Sequence, residues 1–160
     1  NIVNTDTVNG KAVKLRYRGA ANSDDLFDIT IYLSPGDVWA ADVAGENGYS
    51  RLFTQDNSCT LPTREQIRAD NNGRFKVDRV RANDPKETRE GYIEILNMAD
   101  IPPTAKGTKD LYNAIKHVNG VAPCADLPDQ KADVADITAA TARGYANPTG
   151  GLMANWMIMN

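Results

Sequence analysis

Three aspartates, Asp24, Asp25 and Asp28, come closest to the residue types and spacing of a metal site. Carboxylates on a loop can bind Ca²⁺ when backbone carbonyls complete the coordination shell. The glycine and the distal glutamate of an EF-hand loop are absent, and aspartate is also a common turn residue. We therefore favour a solvated turn, predict no metal site, and keep Asp24 and Asp25 as candidate ligand-binding residues.

The other ionisable residues do not match a known catalytic pattern. Glu90 and Glu94 lie four residues apart in a predicted strand, so they share a face at a separation too large for a retaining glycosidase. His117 falls near the end of a predicted helix, where a positive charge is favourable. The sequence contains no nucleophile elbow, phosphate-binding loop or dinucleotide fingerprint. We predict a non-enzymatic protein with no catalytic residues and no cofactor.

The two cysteines, Cys59 and Cys124, occur in the loop-like segments NSCTLP and VAPCADLP. They are either two free thiols or one disulfide. Neither lies in an apolar stretch that would bury it as a small hydrophobic residue, which favours the disulfide. A bridge between them would place the protein in an oxidising compartment.

Six aromatic residues could form a sugar-stacking surface, as in carbohydrate-binding modules. Tyr32 lies on the strand face opposite Ile31, so it is the candidate for exposure. Aromatic residues on strands are, however, more often core or cross-strand partners. The six are Tyr17, Tyr32, Trp39, Tyr49, Tyr92 and Trp156.

The composition is that of a globular domain that does not bind nucleic acid. The chain has 160 residues, of which 41% are hydrophobic and 24% charged, enough for a single domain over 1–160. Its net charge of −3 argues against non-specific binding to nucleic acid, which requires a basic surface. No apolar run approaches the roughly 20 residues of a membrane-spanning helix.

The segment from Phe27 to Trp39 organises the predicted fold. Phe27, Ile29, Ile31 and Leu33 alternate with polar residues, which is the period of a half-buried strand. A Pro-Gly turn follows and leads to Trp39, a predicted core residue. Together with Ala12–Arg18, whose alternation is equally regular, this is typical of antiparallel sheets.

The second half of the chain mixes loops, helices and strands. A loop-rich excursion at 55–90, with one short helix predicted at Thr63–Ala69, precedes Gly91–Met98. This last segment is apolar on both faces and is predicted to be a central, covered strand. A helical insertion at 104–146 contains helices at Thr108–Asn119 and Asp129–Arg143, and Gly144 can terminate the second. We predict a mainly β protein, an antiparallel β-sandwich of jelly-roll or immunoglobulin-like type, with two helices in insertions.

Both ends of the sequence are apolar and strand-like. Ile2 and Val3 read as the end of a strand, and Leu152–Met159, with Leu152, Trp156 and Ile158, reads as a last strand. A trimmed chain explains this pattern, and so does strand addition between neighbouring copies.

Five segments resemble a group of uncharacterised secreted or cell-surface proteins of proteobacteria. The resemblance implies an exported β-rich protein, a bridge between the cysteines, and further strands before and after this sequence. It implies no activity. We therefore predict an extracellular structural or adhesive protein, a filament or surface-layer subunit that self-associates through open edge strands, with glycan binding as the alternative. The predicted assembly residues are Ile2, Val3, Leu152, Trp156 and Ile158. The segments are IVNTDTVNGKAVKLRYRGAANSDDLFDITIYLSPGDVWAADV, NSCTLP, REGYIEILNMADIP, AIKHVNGVAPC and NPTGGLMANWMIMN.

Overall fold

Strands form most of the regular structure, so the protein is mainly β, as predicted. The computed structural model describes residues 1–104, 110–124, 127 and 136–159. The strands are β1 (Ile2–Asn4), β2 (Gly10–Gly19), β3 (Asp25–Leu33), β4 (Val38–Trp39), β5 (Asp42–Glu46), β6 (Tyr49–Phe53), β7 (Cys59–Leu61), β8 (Gly91–Ile101) and β9 (Leu152–Ala154). The helices are α1 (Arg64–Ala69), α2 (Leu111–Ile115) and α3 (Ile137–Arg143).

Within the described residues, the strands form three antiparallel sheets. The first, called here the β1 sheet, has the order β4-β1-β9, and the second, the β2 sheet, has the order β7-β3-β2-β8. The strands β5 and β6 form a separate two-stranded sheet. No helix among the described residues has the length and apolar character needed to cross a membrane.

The alternation predicted for β2 and β3 is confirmed. Val13 and Leu15 are buried and lie opposite Ile31 and Ile29 in the antiparallel register, so the two strands share an apolar face over these residues. Lys14, on the other face, is only half-buried. Periodicity predicts these faces because successive side chains of a strand point to opposite sides of the sheet.

A buried cluster, called here the main core, lies between the β1 sheet and this face of the β2 sheet. Ile2 and Trp39 enter it from the β1 sheet, and Trp39 is the core residue that the sequence predicts. The excursion at 55–90 also contributes, through Ile67 of α1 and through Phe75. This segment is therefore part of the packing, although little of it is strand.

A second buried cluster covers the opposite face of the β2 sheet at one end. Leu111 and Ile115 of α2 pack there against Tyr32 and Ile101. The Asp110 side chain accepts a hydrogen bond from the Asn113 amide and caps this helix at its start. The predicted helix Thr108–Asn119 is thus shorter than expected, and 105–109 lies outside the described residues.

The other predicted helices begin and end close to their sequence signals. Thr63 caps α1, and its side chain accepts from the Gln66 amide in a reciprocal capping box. α3 ends at Gly144, whose φ of 107° is the left-handed conformation expected of a terminating glycine. The first part of the predicted helix Asp129–Arg143, residues 129–135, lies outside the described residues.

Candidate functional site

The outer edge of the β2 sheet is formed by β8, an apolar strand that pairs with β2 on one side. On its other side, among the described residues, only Asp100 makes a backbone bridge, to Ala146. The prediction that Gly91–Met98 lies at the centre of a sheet is wrong, because β2 pairs with one side of β8 and no described strand pairs with the other. Of the five apolar side chains on which the prediction rested, Ile95 is half-buried against the main core and the other four are solvent-exposed. They are Tyr92 (45% exposed), Ile93 (47%), Leu96 (47%) and Met98 (43%).

These exposed side chains lie on both faces of β8. Ile93 is opposite Tyr17 of β2 on the face of the main core, whereas Leu96 is opposite Lys14 on the other face. The register is regular from Gly91 to Asn97 and shifts at Met98. Edge strands are normally protected by charge, by proline or by their short length. The run from Gly91 to Asn97 has only Glu94 as a charge, and the Arg18 Nε donates to its Oε2 at 3.0 Å.

A second exposed apolar segment follows β9 and is called here the C-terminal segment, residues 155–159. The Asn155 amide donates to the Asn1 carbonyl at 3.1 Å, so the segment starts on the β1 sheet. Trp156 and Ile158 are 77% and 81% exposed, and Met157 and Met159 are also exposed. The predicted strand Leu152–Met159 is thus a strand only over Leu152–Ala154.

The other predicted assembly residues belong to the β1 sheet, Ile2 and Val3 to its inner strand β1 and Leu152 to its edge strand β9. Ile2 and Val3 belong to β1, which lies between β4 and β9 and is paired on both sides. The prediction that they form an unpaired edge is wrong for this reason. Ile2 is buried in the main core, and Leu152 packs against that core from β9.

Tyr32, the predicted sugar-stacking residue, is buried. Its exposure is 1%, because α2 and the Cys59–Cys124 bridge cover this face of β3. Its hydroxyl lies 3.2 Å from that of Tyr145. The prediction of an exposed ring at Tyr32 is therefore wrong.

The aspartates before and within β3 meet cations of neighbouring strands and loops. The Asp25 Oδ2 lies 3.5 Å from the Arg79 Nη1, and the Asp28 Oδ1 lies 3.4 Å from the Arg16 Nε. Burial raises the pKa of the Asp28 carboxyl, and the nearby Lys14 only partly offsets that rise. In the described part of the chain, neither Asp24 nor any other Asp, Glu, His or Cys belongs to a group of three that could hold a metal ion.

Cys59 and Cys124 form the disulfide. The Cα atoms are 5.5 Å apart, and the two residues are separated by 65 positions in the sequence. The bridge joins β7 to the segment after α2, whose Ala114 carbonyl accepts from the Cys124 amide at 3.0 Å. It therefore fixes α2 on the β2 sheet.

A buried ion pair that the sequence analysis missed lies where β2, β8 and the approach to β9 meet. The Lys11 Nζ is 2.6 Å from the Asp100 Oδ1, and these residues are 0% and 2% exposed. The Asp6 Oδ2 lies 3.4 Å from the same nitrogen, and Thr149 hydrogen-bonds to both partners. The sequence does indicate that Lys11 is buried. Lys11 lies two residues before the inward-facing Val13, so the alternation of a strand places both side chains on the same face.

The hydrogen bonds around Asp6 predict that the folded state loses stability in acid. The backbone amides of Asn9 and Val8 donate to its carboxylate at 2.9 and 2.8 Å and hold the pKa of Asp6 far below its usual value. A carboxyl whose pKa is lower in the folded state stabilises the fold above the unfolded-state pKa, which is about 4. That contribution disappears as the pH falls through the folded-state pKa. We expect the free energy of unfolding, measured with urea from pH 7 to pH 2, to fall below pH 4 and to fall less steeply in Asp6→Asn.

The exposed Asp42 of β5 provides the control, because Asp42→Asn also removes one carboxylate. The acid-dependent loss should be the same in this variant as in the wild type. If the free energy of unfolding falls equally steeply below pH 4 in Asp6→Asn and in the wild type, Asp6 is not the source of the acid sensitivity.

Ser34, His117 and Asp37 lie together but do not have the geometry of a catalytic triad. The His117 Nδ1 is 3.2 Å from the Ser34 Oγ and 3.5 Å from the Asp37 Oδ2. A triad requires the serine on one ring nitrogen and the carboxylate on the other, so that the ring can accept the serine proton while the acid orients it. Here one nitrogen faces both groups. The cluster connects the turn after β3 to the segment after α2.

Comparison with known proteins gives no relative: no protein-family model, curated protein or solved structure matches this chain.

Proposed function

We propose that this protein is a non-enzymatic extracellular structural subunit, of a filament or a surface layer, that self-associates by pairing of β-strands. We also propose that the packing of the β1 sheet on the β2 sheet is a β-sandwich of jelly-roll or immunoglobulin-like type. The observation that carries the functional proposal is the edge position of β8, whose side chains have the apolar character of a covered strand.

The physical argument concerns the free edge of the backbone. An unpaired strand presents a row of N–H and C=O groups that can template another strand. When apolar side chains flank that row on both faces, an added strand also removes apolar surface from water, at about 25 cal/mol per Å². Backbone hydrogen bonding and burial at β8 thus both favour a further strand.

The disulfide supports an extracellular location. Structural disulfides form and persist in oxidising compartments and are rare in the cytosol. The Cys59 side of the bridge is 1% exposed, as expected of a structural bridge and not of a reactive thiol pair.

Leu96→Lys tests the proposal, because it places a charge on the free edge without changing the core. We expect the sedimentation coefficient of the wild type to rise with concentration and that of Leu96→Lys to stay at the monomer value. Val43→Lys on β5 is the matched control, since Val43 has the same 47% exposure in another sheet. It should associate like the wild type. A wild type that sediments as a monomer at every concentration up to about 1 mM, with no assemblies in negative stain, would refute the proposed function.

Carbohydrate binding is a second candidate, and the exposed indole of Trp156 is the observation that favours it. A tryptophan ring open to solvent can stack on the apolar face of a sugar. Leu96→Lys separates the two functions, since it charges the edge and leaves Trp156 unchanged. Binding of the variant to a glycan array, lost in Trp156→Ala, would favour carbohydrate recognition.

A further inference from the structure

We propose that β8 of one copy is covered by the C-terminal segment, residues 155–159, of a second copy, so that the subunits join head to tail. This inference rests on the proposed function and specifies the two surfaces that meet. One copy acts as donor through its C-terminal segment and as acceptor through β8.

The acceptor is the regular run of β8 from Gly91 to Asn97. Beyond it the register shifts at Met98, and Asp100 is buried in its ion pair with Lys11. Glu94 is already paired with Arg18, so this run offers no free carboxylate to a cationic partner. The acceptor thus fits a short, uncharged strand with apolar side chains on both faces.

The C-terminal segment is short and uncharged, and it carries apolar side chains for both faces of a strand. In an extended conformation Trp156 and Ile158 would lie on one face and Met157 and Met159 on the other. The segment has no charged residue. Its five residues span about 16 Å when extended, which fits within the seven-residue acceptor run. Both elements therefore expose apolar side chains on two faces and lack a strand partner among the described residues.

The segment of the same molecule does not lie on this acceptor. The chain returns to the end of β8 at Ala146, which bridges to Asp100, and at Thr149, which hydrogen-bonds to Asn97 and Asp100. It then pairs with β1 through β9. The Asn155 amide is still hydrogen-bonded to Asn1. The segment thus starts on the β1 sheet, whereas the acceptor belongs to the β2 sheet. A second copy supplies the partner that the described part of this chain does not.

The size of the contact predicts a reversible association. The seven exposed apolar side chains, four in the donor and three in the acceptor run, each contribute on the order of 100 Å². With the paired backbone, the area approaches the lower limit of about 1,200 Å² for specific interfaces. Because donor and acceptor are different surfaces, each added copy exposes a new donor or acceptor, which gives an open chain.

The test uses two variants of the full chain, each defective on one side. Ile158→Lys places a charge in the donor and leaves β8 intact, and Leu96→Lys charges the acceptor and leaves the C-terminal segment intact. Each variant alone should sediment as a monomer. Mixed in equal amounts they should form a 1:1 dimer and nothing larger, because only one donor and one acceptor remain functional. The wild type should form a series of larger species, and Val43→Lys should behave like the wild type.

The outcomes separate this inference from the proposed function. Assembly of Ile158→Lys alone, as expected if β8 pairs with β8, would overturn the head-to-tail inference and leave self-association standing. A mixture that stays monomeric, or a wild type that stops at the dimer, would also overturn it. A wild type that never associates would remove both proposals.

Discussion

Replacing both cysteines of the disulfide by alanine is expected to lower the free energy of unfolding by about 4 kcal/mol. The bridge joins residues 65 positions apart, and a cross-link of that span removes a large part of the conformational entropy of the unfolded chain. Alanine avoids placing a hydroxyl in the buried cluster around Cys59. The measurement is urea unfolding of the oxidised wild type against Cys59→Ala/Cys124→Ala.

Local structure should respond to the same change. α2 has five residues, too few for an isolated helix to be stable in water, so its position depends on packing and on the bridge. Amide hydrogen exchange at Leu111–Ile115 should therefore accelerate more than exchange in β2. Reduction of the wild type with dithiothreitol should reproduce the stability of the variant, whereas the variant itself should not respond. A loss below about 1 kcal/mol in both comparisons would show that the bridge contributes little.

Asp100→Asn is expected to cost about 3–5 kcal/mol of stability, the range found when one partner of a buried ion pair is removed. Lys11 has no exposed surface, so its ammonium cannot recover hydration when the carboxylate is lost. Asp6 remains 3.4 Å away and compensates part of the charge, which places the expected loss toward the lower end of the range. Urea unfolding at pH 7 measures it.

Asp28, which forms ion pairs on the more exposed face of the same sheet, provides a matched control. Asp28, close to Lys14 and Arg16, is more exposed, and burial already raises the pKa of its carboxyl, so Asp28→Asn should cost less than about 1 kcal/mol. In the double variant Lys11→Met/Asp100→Asn, the loss should be smaller than the sum of the single losses, because neither member of the Lys11–Asp100 pair is left charged and buried without the other. Equal costs for Asp100→Asn and Asp28→Asn would contradict the assignment of a buried pair.

Much of the candidate site could not be predicted from the sequence, because it depends on which strands become neighbours. The apolar pattern of β8 is that of a covered strand, and periodicity alone cannot tell whether a neighbour in the same chain covers it. The burial of Tyr32 likewise depends on α2, which arrives about 80 residues later in the sequence. Helix ends were more predictable, since the Thr63 cap and the Gly144 terminator act on adjacent residues.

By itself the sequence determined which faces of β2 and β3 are buried, the turn before Trp39, the burial of Trp39, and the approximate places of the described helices. These features depend on side-chain alternation and on local hydrogen bonding. Only the tertiary structure decided that β1 is an inner strand, that β8 is an open edge and that Lys11 meets Asp100. Strand order and ion pairing join residues far apart in the chain, and no local pattern records which of several compatible partners is adopted.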